Sequence, residues 1–190
     1  MNKSRTIIRR VVAEIAPFDE LERQQIASTE AWIDSVEPIY RHSNPARHLV
    51  SYVVPFDLTT RSVLLFYHRK SGLLLPPGGH LEDNETPLQA TKREMAEELH
   101  QVASFYAWVG AAPLFLTATD TVGSAPHTDI SLWFTVCQTP SDDPWYDKRE
   151  FSGYRWVPLK SLMAPGDKLD PQMHRFARKL NSILELVDPK

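Results

Sequence analysis

The sequence contains one cysteine, Cys137, so an internal disulfide is excluded. This residue lies within an apolar run and is interpreted as a small buried side chain. The sequence also lacks a secretory signal pattern, an apolar run of membrane-spanning length, internal repeats and low-complexity segments. We therefore expect one cytoplasmic domain with a small extension, and an apolar content of 42% is sufficient for a hydrophobic core.

The chain has little net charge. Its formal charge of −3 produces no overall field that would attract a large polyanion, so duplex nucleic acid is not an expected partner. A membrane is not an expected partner either. A small phosphorylated substrate is compatible with this charge, because a bound metal ion would offset the phosphates. The sequence leaves the formation of a homodimer open.

Apolar spacing predicts two N-terminal helices, with Pro17 ending the first and Asp19 and Glu22 beginning the second. Residues 1–45 are therefore interpreted as an N-terminal helical extension. The main domain is predicted to span residues 46–187, with a C-terminal helix beginning near Asp170. Its predicted strands are residues 48–55, 62–67, 73–75, 105–116, 129–138 and 153–158, which are rich in β-branched, aromatic and other apolar side chains.

An acidic segment from Gly79 to Glu98 is the most informative part of the sequence. It reads G-x5-E-x7-R-E-U-x-E-E, in which U is an aliphatic residue. Thr86, Pro87 and Gln89 form a helix-start signal with the spacing of a capping box. The helix that follows is predicted to bury a stripe that includes Met95.

Three glutamates, Glu94, Glu97 and Glu98, have the i, i+3, i+4 spacing that places them together on the opposite helix face. Each like-charged pair costs about 0.2–0.5 kcal/mol. Oxygen-rich clusters of this kind suit Mg²⁺ or Mn²⁺, which would reverse the repulsion. The simpler alternative is a solvated acidic face.

This pattern resembles the Nudix box. The resemblance implies an α/β (α+β) fold, a Nudix-type α/β/α sandwich with a mixed sheet. It also implies a Mg²⁺-dependent (or Mn²⁺-dependent) hydrolase that cleaves a diphosphate linkage in a nucleoside diphosphate derivative or a related small phosphorylated compound. In such enzymes the three glutamates and the backbone carbonyl of Gly79 would bind metal, and Glu85 would pair with Arg93 to hold the loop against the helix. One carboxylate would act as the base.

The sequence departs from the family pattern at the end of the box. His100 and Gln101 occupy the places where a glycine and an aliphatic residue are usual. Glycine there permits a left-handed helix terminus, and histidine is among the residues that also adopt this conformation. The departure therefore concerns the end of the helix and removes no proposed metal ligand.

Several residues outside the carboxylate set are candidate substrate contacts, each with a structural or solvated alternative. His80 and Arg69 could contact phosphate, and His127 with Asp129 could face the metal site. The segment from Pro140 to Glu150, which includes Asp142 and Asp143, is predicted to be a polar loop that determines specificity. In it Trp145 would stack on a base, and Glu150 would provide a further metal ligand or the general base.

Two other functions share the fold. A nucleotide-sensing Nudix module without catalysis would be expected to have lost carboxylates, and this sequence retains them. An isomerase of isoprenoid diphosphates would require a catalytic cysteine, and Cys137 lies far from the box in sequence. The substrate itself stays open among nucleoside triphosphates, nucleotide sugars, ADP-ribose and dinucleoside polyphosphates.

Overall fold

The computed structural model describes residues 3–43, 46–121, 126–140 and 144–187. Its α-helices are α1 (Lys3–Ala13), α2 (Glu20–Asp34), α3 (Pro87–Leu99), α4 (Leu159–Leu162) and α5 (Met173–Val187), with a 3₁₀ turn at Arg41–Ser43. Its strands are β1 (Arg47–Asp57), β2 (Ser62–His68), β3 (Leu74–Leu75), β4 (Gly78–His80), β5 (Phe115–Asp120), β6 (Thr128–Cys137) and β7 (Phe151–Pro158). Among the described helices, none combines the length and apolarity needed to cross a membrane.

The strands are hydrogen-bonded in the order β3-β2-β1-β6-β5, while β4 pairs with β1 and β7 pairs with β2. The chain divides into two compact units, and β1, β6 and α3 each run from one unit into the other. The first unit comprises Met1–Tyr52, Gly78–Arg93 and Ala111–Phe134, and the second comprises Val53–Pro77, Glu94–Gly110 and Thr135–Lys190.

In the first unit, α2 is joined to β5 by two buried or partly buried side chains. Glu22 is fully buried, and its carboxylate accepts hydrogen bonds from the backbone N–H of Phe18 at 2.6 Å and of Leu116 at 3.1 Å. Gln25 donates from Nε2 to the carbonyl of Ala118 at 3.1 Å. The predicted helix start is confirmed, because the Asp19 side chain accepts from the N–H of Glu22.

The second unit has a core that α3 shares with four strands. Met95 and Leu99 of α3 are 1% and 2% exposed and pack with buried side chains of β1, β2, β6 and β7. Met95 and Leu99, which belong to the predicted apolar stripe, are therefore buried. The strand members of this cluster are Val53, Leu64, Phe66, Val136 and Phe151.

Most predicted strands are confirmed, but residues 105–114 do not form one. Tyr106 donates its hydroxyl to the carbonyl of Phe56 at 2.7 Å, and burial raises the pKa of Tyr106 to about 12. The chain then turns at Gly110, which has a φ of 64° and whose backbone N–H donates to the Tyr106 carbonyl. The aromatic residues of this segment thus anchor a turn, so β5 begins only at Phe115. The short elements β4 and α4 were also not predicted from the sequence. The prediction that Val187 lies on the buried face of the last helix is wrong, because this side chain is 46% exposed.

Candidate active site

The helix α3 begins with the capping box that the sequence predicts. The backbone N–H of Thr86 donates to Gln89 Oε1 at 2.9 Å, and the N–H of Gln89 approaches Thr86 Oγ1 at 3.4 Å. A buried pair of hydroxyls, Ser51 and Thr91, lies 2.7 Å apart and ties the first turns of the helix to β1. The start of the acidic helix is therefore fixed both locally and by the sheet.

The three glutamates of α3 differ in exposure. Glu94 and Glu98 are only 6% and 7% exposed, whereas Glu97 is exposed. The sequence placed all three on the face opposite the buried stripe, and this placement is wrong for Glu94 and Glu98, which are buried. Two carboxylates at positions i and i+4 of one helix form an oxygen donor set that suits a hard cation.

The loop that leads into α3 is held by the predicted ion pair between Glu85 and Arg93. Arg93 donates from Nε to Glu85 Oε1 at 3.0 Å and from Nη2 to Glu85 Oε2 at 3.0 Å. Its Nη2 also donates to the carbonyl of His80 at 3.1 Å. A bidentate pair of this kind fixes geometry as well as charge, so Arg93 sets the position of β4 relative to the first part of the helix.

The comparisons with known proteins agree with this geometry. Residues 46–180 match the family model of the NUDIX domain. The chain belongs to the Nudix family. It is a Nudix-type hydrolase, and the resemblance inferred from the acidic segment is thereby confirmed. A search of the curated proteins finds no match.

Solved structures show the same Nudix fold. A NUDIX-family hydrolase from Clostridium perfringens is 23% identical, and the alignment covers 75% of this chain and 99% of that chain with a TM-score of 0.54. An Ap4A hydrolase from C. elegans, in a binary complex, is 17% identical over 72% of this chain and 97% of that chain, with a TM-score of 0.56. The dihydroneopterin triphosphate pyrophosphohydrolase of E. coli is 18% identical over 73% of this chain and 94% of that chain, with a TM-score of 0.52. The predicted α+β fold with N-terminal helices is confirmed.

The Gly-Gly-His segment of this Nudix domain forms β4 and pairs with β1. Gly79 lies opposite Ser51, and Gly78 lies opposite Tyr52. Gly78 has a φ of 144°, and a Cβ atom there would lie 2.2 Å from the carbonyl oxygen of Ser51. Only glycine permits this close approach of two backbones.

Four side chains from neighbouring strands form a polar cluster in the first unit. His80 Nε2 and His127 Nε2 lie 3.2 Å and 3.1 Å from the same oxygen of Asp129. His48, which is 5% exposed, has its ring centroid 4.0 Å from that of His127 and 5.0 Å from that of His80. The four potential ligand atoms all lie within 4.8 Å of one another, so this group could hold a metal ion. Sequence reasoning identified three of its members and missed His48, whose only signal is a histidine within an otherwise apolar strand.

In the second unit, Arg69 supports the segment that precedes β7. Its Nε donates to the carbonyls of Lys148 at 2.9 Å and Phe151 at 3.1 Å. The neighbouring His68 lies 3.7 Å from the Glu150 carboxylate. Burial lowers the pKa of His68, although the Glu150 charge opposes this shift. Arg69 thus has a structural role that was not foreseen, while its contact with phosphate stays a prediction.

The described part of the predicted specificity loop, residues 144–150, is attached to the end of α3. The N–H of Asp147 donates to the carbonyl of Glu98 at 2.9 Å. The Asp147 carboxylate binds the Arg149 guanidinium, which lowers the pKa of that carboxyl. Trp145 is 44% exposed and stacks on His100, with ring centroids 3.2 Å apart and planes 12° apart. Asp142 and Asp143 lie outside the described residues.

His100 adopts the predicted left-handed conformation, with a φ of 51°. Glycine would relieve about 1–2 kcal/mol of backbone strain there, but it would lose an aromatic stack worth about 0.5–1.5 kcal/mol. We expect His100→Gly to change the free energy of unfolding by less than about 1 kcal/mol. His100→Ala loses the stack and keeps the strain, so it should be the less stable variant by about 1 kcal/mol. Chemical denaturation measures both values, and equal stability of the two variants would contradict this account.

Proposed function

We propose that this chain is a Mg²⁺-dependent pyrophosphohydrolase that cleaves a diphosphate linkage in a nucleoside diphosphate derivative or a related small compound. The observation that carries the proposal is the donor set on α3, in which Glu94 and Glu98 are buried and Glu97 is exposed. Carboxylate oxygens are the ligands that Mg²⁺ and Mn²⁺ prefer. The intact set disfavours a sensing module without catalysis.

The names of the similar solved structures support the substrate class. One acts on Ap4A and another on dihydroneopterin triphosphate, which are compounds that contain phosphate anhydrides. Those activities belong to proteins that are less than 20% identical to this chain, so the class is carried over and the individual compound is not. The cytoplasmic location stays a prediction from the sequence.

Within this proposal, Glu94, Glu97 and Glu98 would hold the cation. The carbonyl of Gly79, at the position of a backbone metal ligand in the family, would be a further ligand. A divalent ion bound there would neutralise charge on the diphosphate and lower the pKa of a coordinated water. The Glu85–Arg93 ion pair would position the metal ligands, because it fixes the loop before the helix. The proton of the attacking water passes to a carboxylate, for which the exposed Glu97 and Glu150 are the candidates.

Substrate discrimination is proposed to lie in the segment that Asp147 attaches to α3. Trp145 stacks on a base, which is worth roughly 1–3 kcal/mol by alanine substitution. Glu150 is one of the two candidates to accept the proton of the reacting water. Both residues are exposed, and both lie in the same compact unit as the three glutamates.

The test is a panel of nucleoside triphosphates, nucleotide sugars, ADP-ribose and dinucleoside polyphosphates, assayed with Mg²⁺ and with Mn²⁺ and followed by product identification. We expect one compound class to be cleaved at a diphosphate linkage. For that class, Trp145→Ala should raise KM by about 5- to 160-fold, which corresponds to 1–3 kcal/mol of stacking, and Glu150→Gln should lower kcat.

Lys148→Gln is a suitable control, because it changes an exposed side chain of the same segment. If both loop variants match the wild type across the panel, the segment does not contribute to specificity. If no compound is cleaved with either metal, the proposed function is wrong.

A further inference from the structure

The cluster formed by His48, His80, His127 and Asp129 lies on three adjacent strand segments of the first unit. His48 is in β1, His80 is in β4, and His127 and Asp129 flank the start of β6. Because β4 pairs with β1, and β1 neighbours β6 in the sheet, residues from distant parts of the sequence meet here. We propose that these four side chains bind one Zn²⁺ ion.

The chemistry of the donors selects the class of ion. Three imidazoles and one carboxylate form a set that suits Zn²⁺ and similar transition metals, whereas Mg²⁺ prefers a set made of oxygen atoms. Four protein ligands fill a tetrahedral shell, which is typical of structural zinc sites. The cluster thus differs in ligand type from the glutamates of α3.

The distances suit a single ion. Bonds of about 2.0–2.1 Å require tetrahedral ligand atoms to be roughly 3.3–3.4 Å apart. Asp129 Oδ1 already lies 3.2 Å from His80 Nε2 and 3.1 Å from His127 Nε2. No two of the four ligand atoms are more than 4.8 Å apart. Side-chain rotations that shorten these separations by about 1.5 Å or less would therefore bring all four atoms to tetrahedral spacing.

A contact behind His127 fixes the orientation of its ring. Thr121 Oγ1 lies 3.2 Å from His127 Nδ1, on the other side of the ring from Nε2, and 3.1 Å from the His127 carbonyl oxygen. Metal-binding histidines characteristically have such an outer hydrogen bond, which sets the tautomer that leaves the other nitrogen available.

The charge of the cluster disfavours the alternative role as a phosphate contact. Asp129 places a carboxylate oxygen within 3.2 Å of two imidazole nitrogens, where it would repel a phosphate. The same carboxylate attracts a cation. A hydrogen-bonded cluster without an ion is the remaining alternative, and it makes a different experimental prediction.

The experiment is a Zn²⁺ titration of the full chain by calorimetry, with metal content measured after dialysis and Co²⁺ used as a spectroscopic probe. The wild type should bind one equivalent of Zn²⁺ at this site, and Co²⁺ should give the intense visible absorption of a tetrahedral site. At free Zn²⁺ about 100-fold above Kd, Tm should rise by roughly 5–10 °C.

Asp129→Asn preserves side-chain shape and should weaken Zn²⁺ binding by about 100-fold or more, beyond the loss typical of an outer contact. His80→Asn is a second ligand variant in case the first fails to fold, which circular dichroism detects. His42→Asn, at an exposed histidine, should bind as the wild type does.

Glu98→Gln separates this site from the proposed catalytic one. It should lose hydrolysis and keep Zn²⁺ binding, so failure of one proposal leaves the other distinguishable. The zinc site is wrong if the wild type binds no Zn²⁺, if folded Asp129→Asn and His80→Asn bind it unchanged, or if Glu98→Gln alone abolishes binding.

Discussion

Replacing Glu97 or Glu98 by glutamine should lower kcat by about two to three orders of magnitude on the best substrate of the panel. Each substitution removes the negative charge of one proposed ligand of the cation while preserving side-chain volume. Loss of metal-based charge stabilisation is worth several kcal/mol, and each 1.36 kcal/mol corresponds to about a tenfold change in rate. Steady-state kinetics at saturating Mg²⁺ measures the effect, and a chelator should abolish wild-type activity until Mg²⁺ is restored.

Glu82→Gln is the matched control, because Glu82 is an exposed acid in the loop of the same segment and is not a proposed ligand. It should retain activity close to that of the wild type. Thermal unfolding must show that the two glutamine variants at positions 97 and 98 are folded. Turnover near the wild-type value in both folded variants would remove the basis for the proposed function.

Gly78→Ala should destabilise the protein by about 3 kcal/mol or more, which corresponds to a fall in Tm of roughly 6–12 °C. The new Cβ would lie 2.2 Å from the Ser51 carbonyl oxygen and 3.0 Å from Tyr52 Cα. Strain at an unfavourable φ costs about 1–3 kcal/mol, and overpacking against backbone adds about 1–3 kcal/mol. Since β4 also carries Gly79, hydrolysis should fall as well.

Gly110→Ala separates the two contributions to this effect. Gly110 also has a positive φ, of 64°, but a Cβ atom there would meet nothing within 4 Å. Its substitution should therefore cost only the strain, about 1–2 kcal/mol. Equal losses of unfolding free energy in the two variants would mean that β1 and β4 are not so close at Gly78.

The elements that could be predicted from the sequence are those whose signals are local. The capping box of Thr86 and Gln89 and the left-handed His100 depend on contacts within a few residues, so their spacing was sufficient. The Glu85–Arg93 pair spans only eight residues and was implied by the family pattern. These features place the start, the end and the acidic face of α3.

The features that could not be predicted depend on strand pairing or on side-chain packing. His48 joins the histidine cluster only because β1 lies beside both β4 and β6, and nothing near it in the sequence indicates this. Residues 105–114 have the composition of a strand, but Tyr106 is held by the Phe56 carbonyl and the chain turns. The burial of Glu94 and Glu98, in contrast to Glu97, likewise depends on what packs against α3.

The contacts of Glu22 and Gln25 have a consequence for association between molecules. β5 ends the hydrogen-bonded order of the sheet, so its outer N–H and carbonyl groups would form an edge on which a strand of another molecule could be added. The side chains of α2 instead occupy the N–H of Leu116 and the carbonyl of Ala118. Sheet extension at this edge would require α2 to detach, which disfavours both aggregation and a homodimer formed through β5.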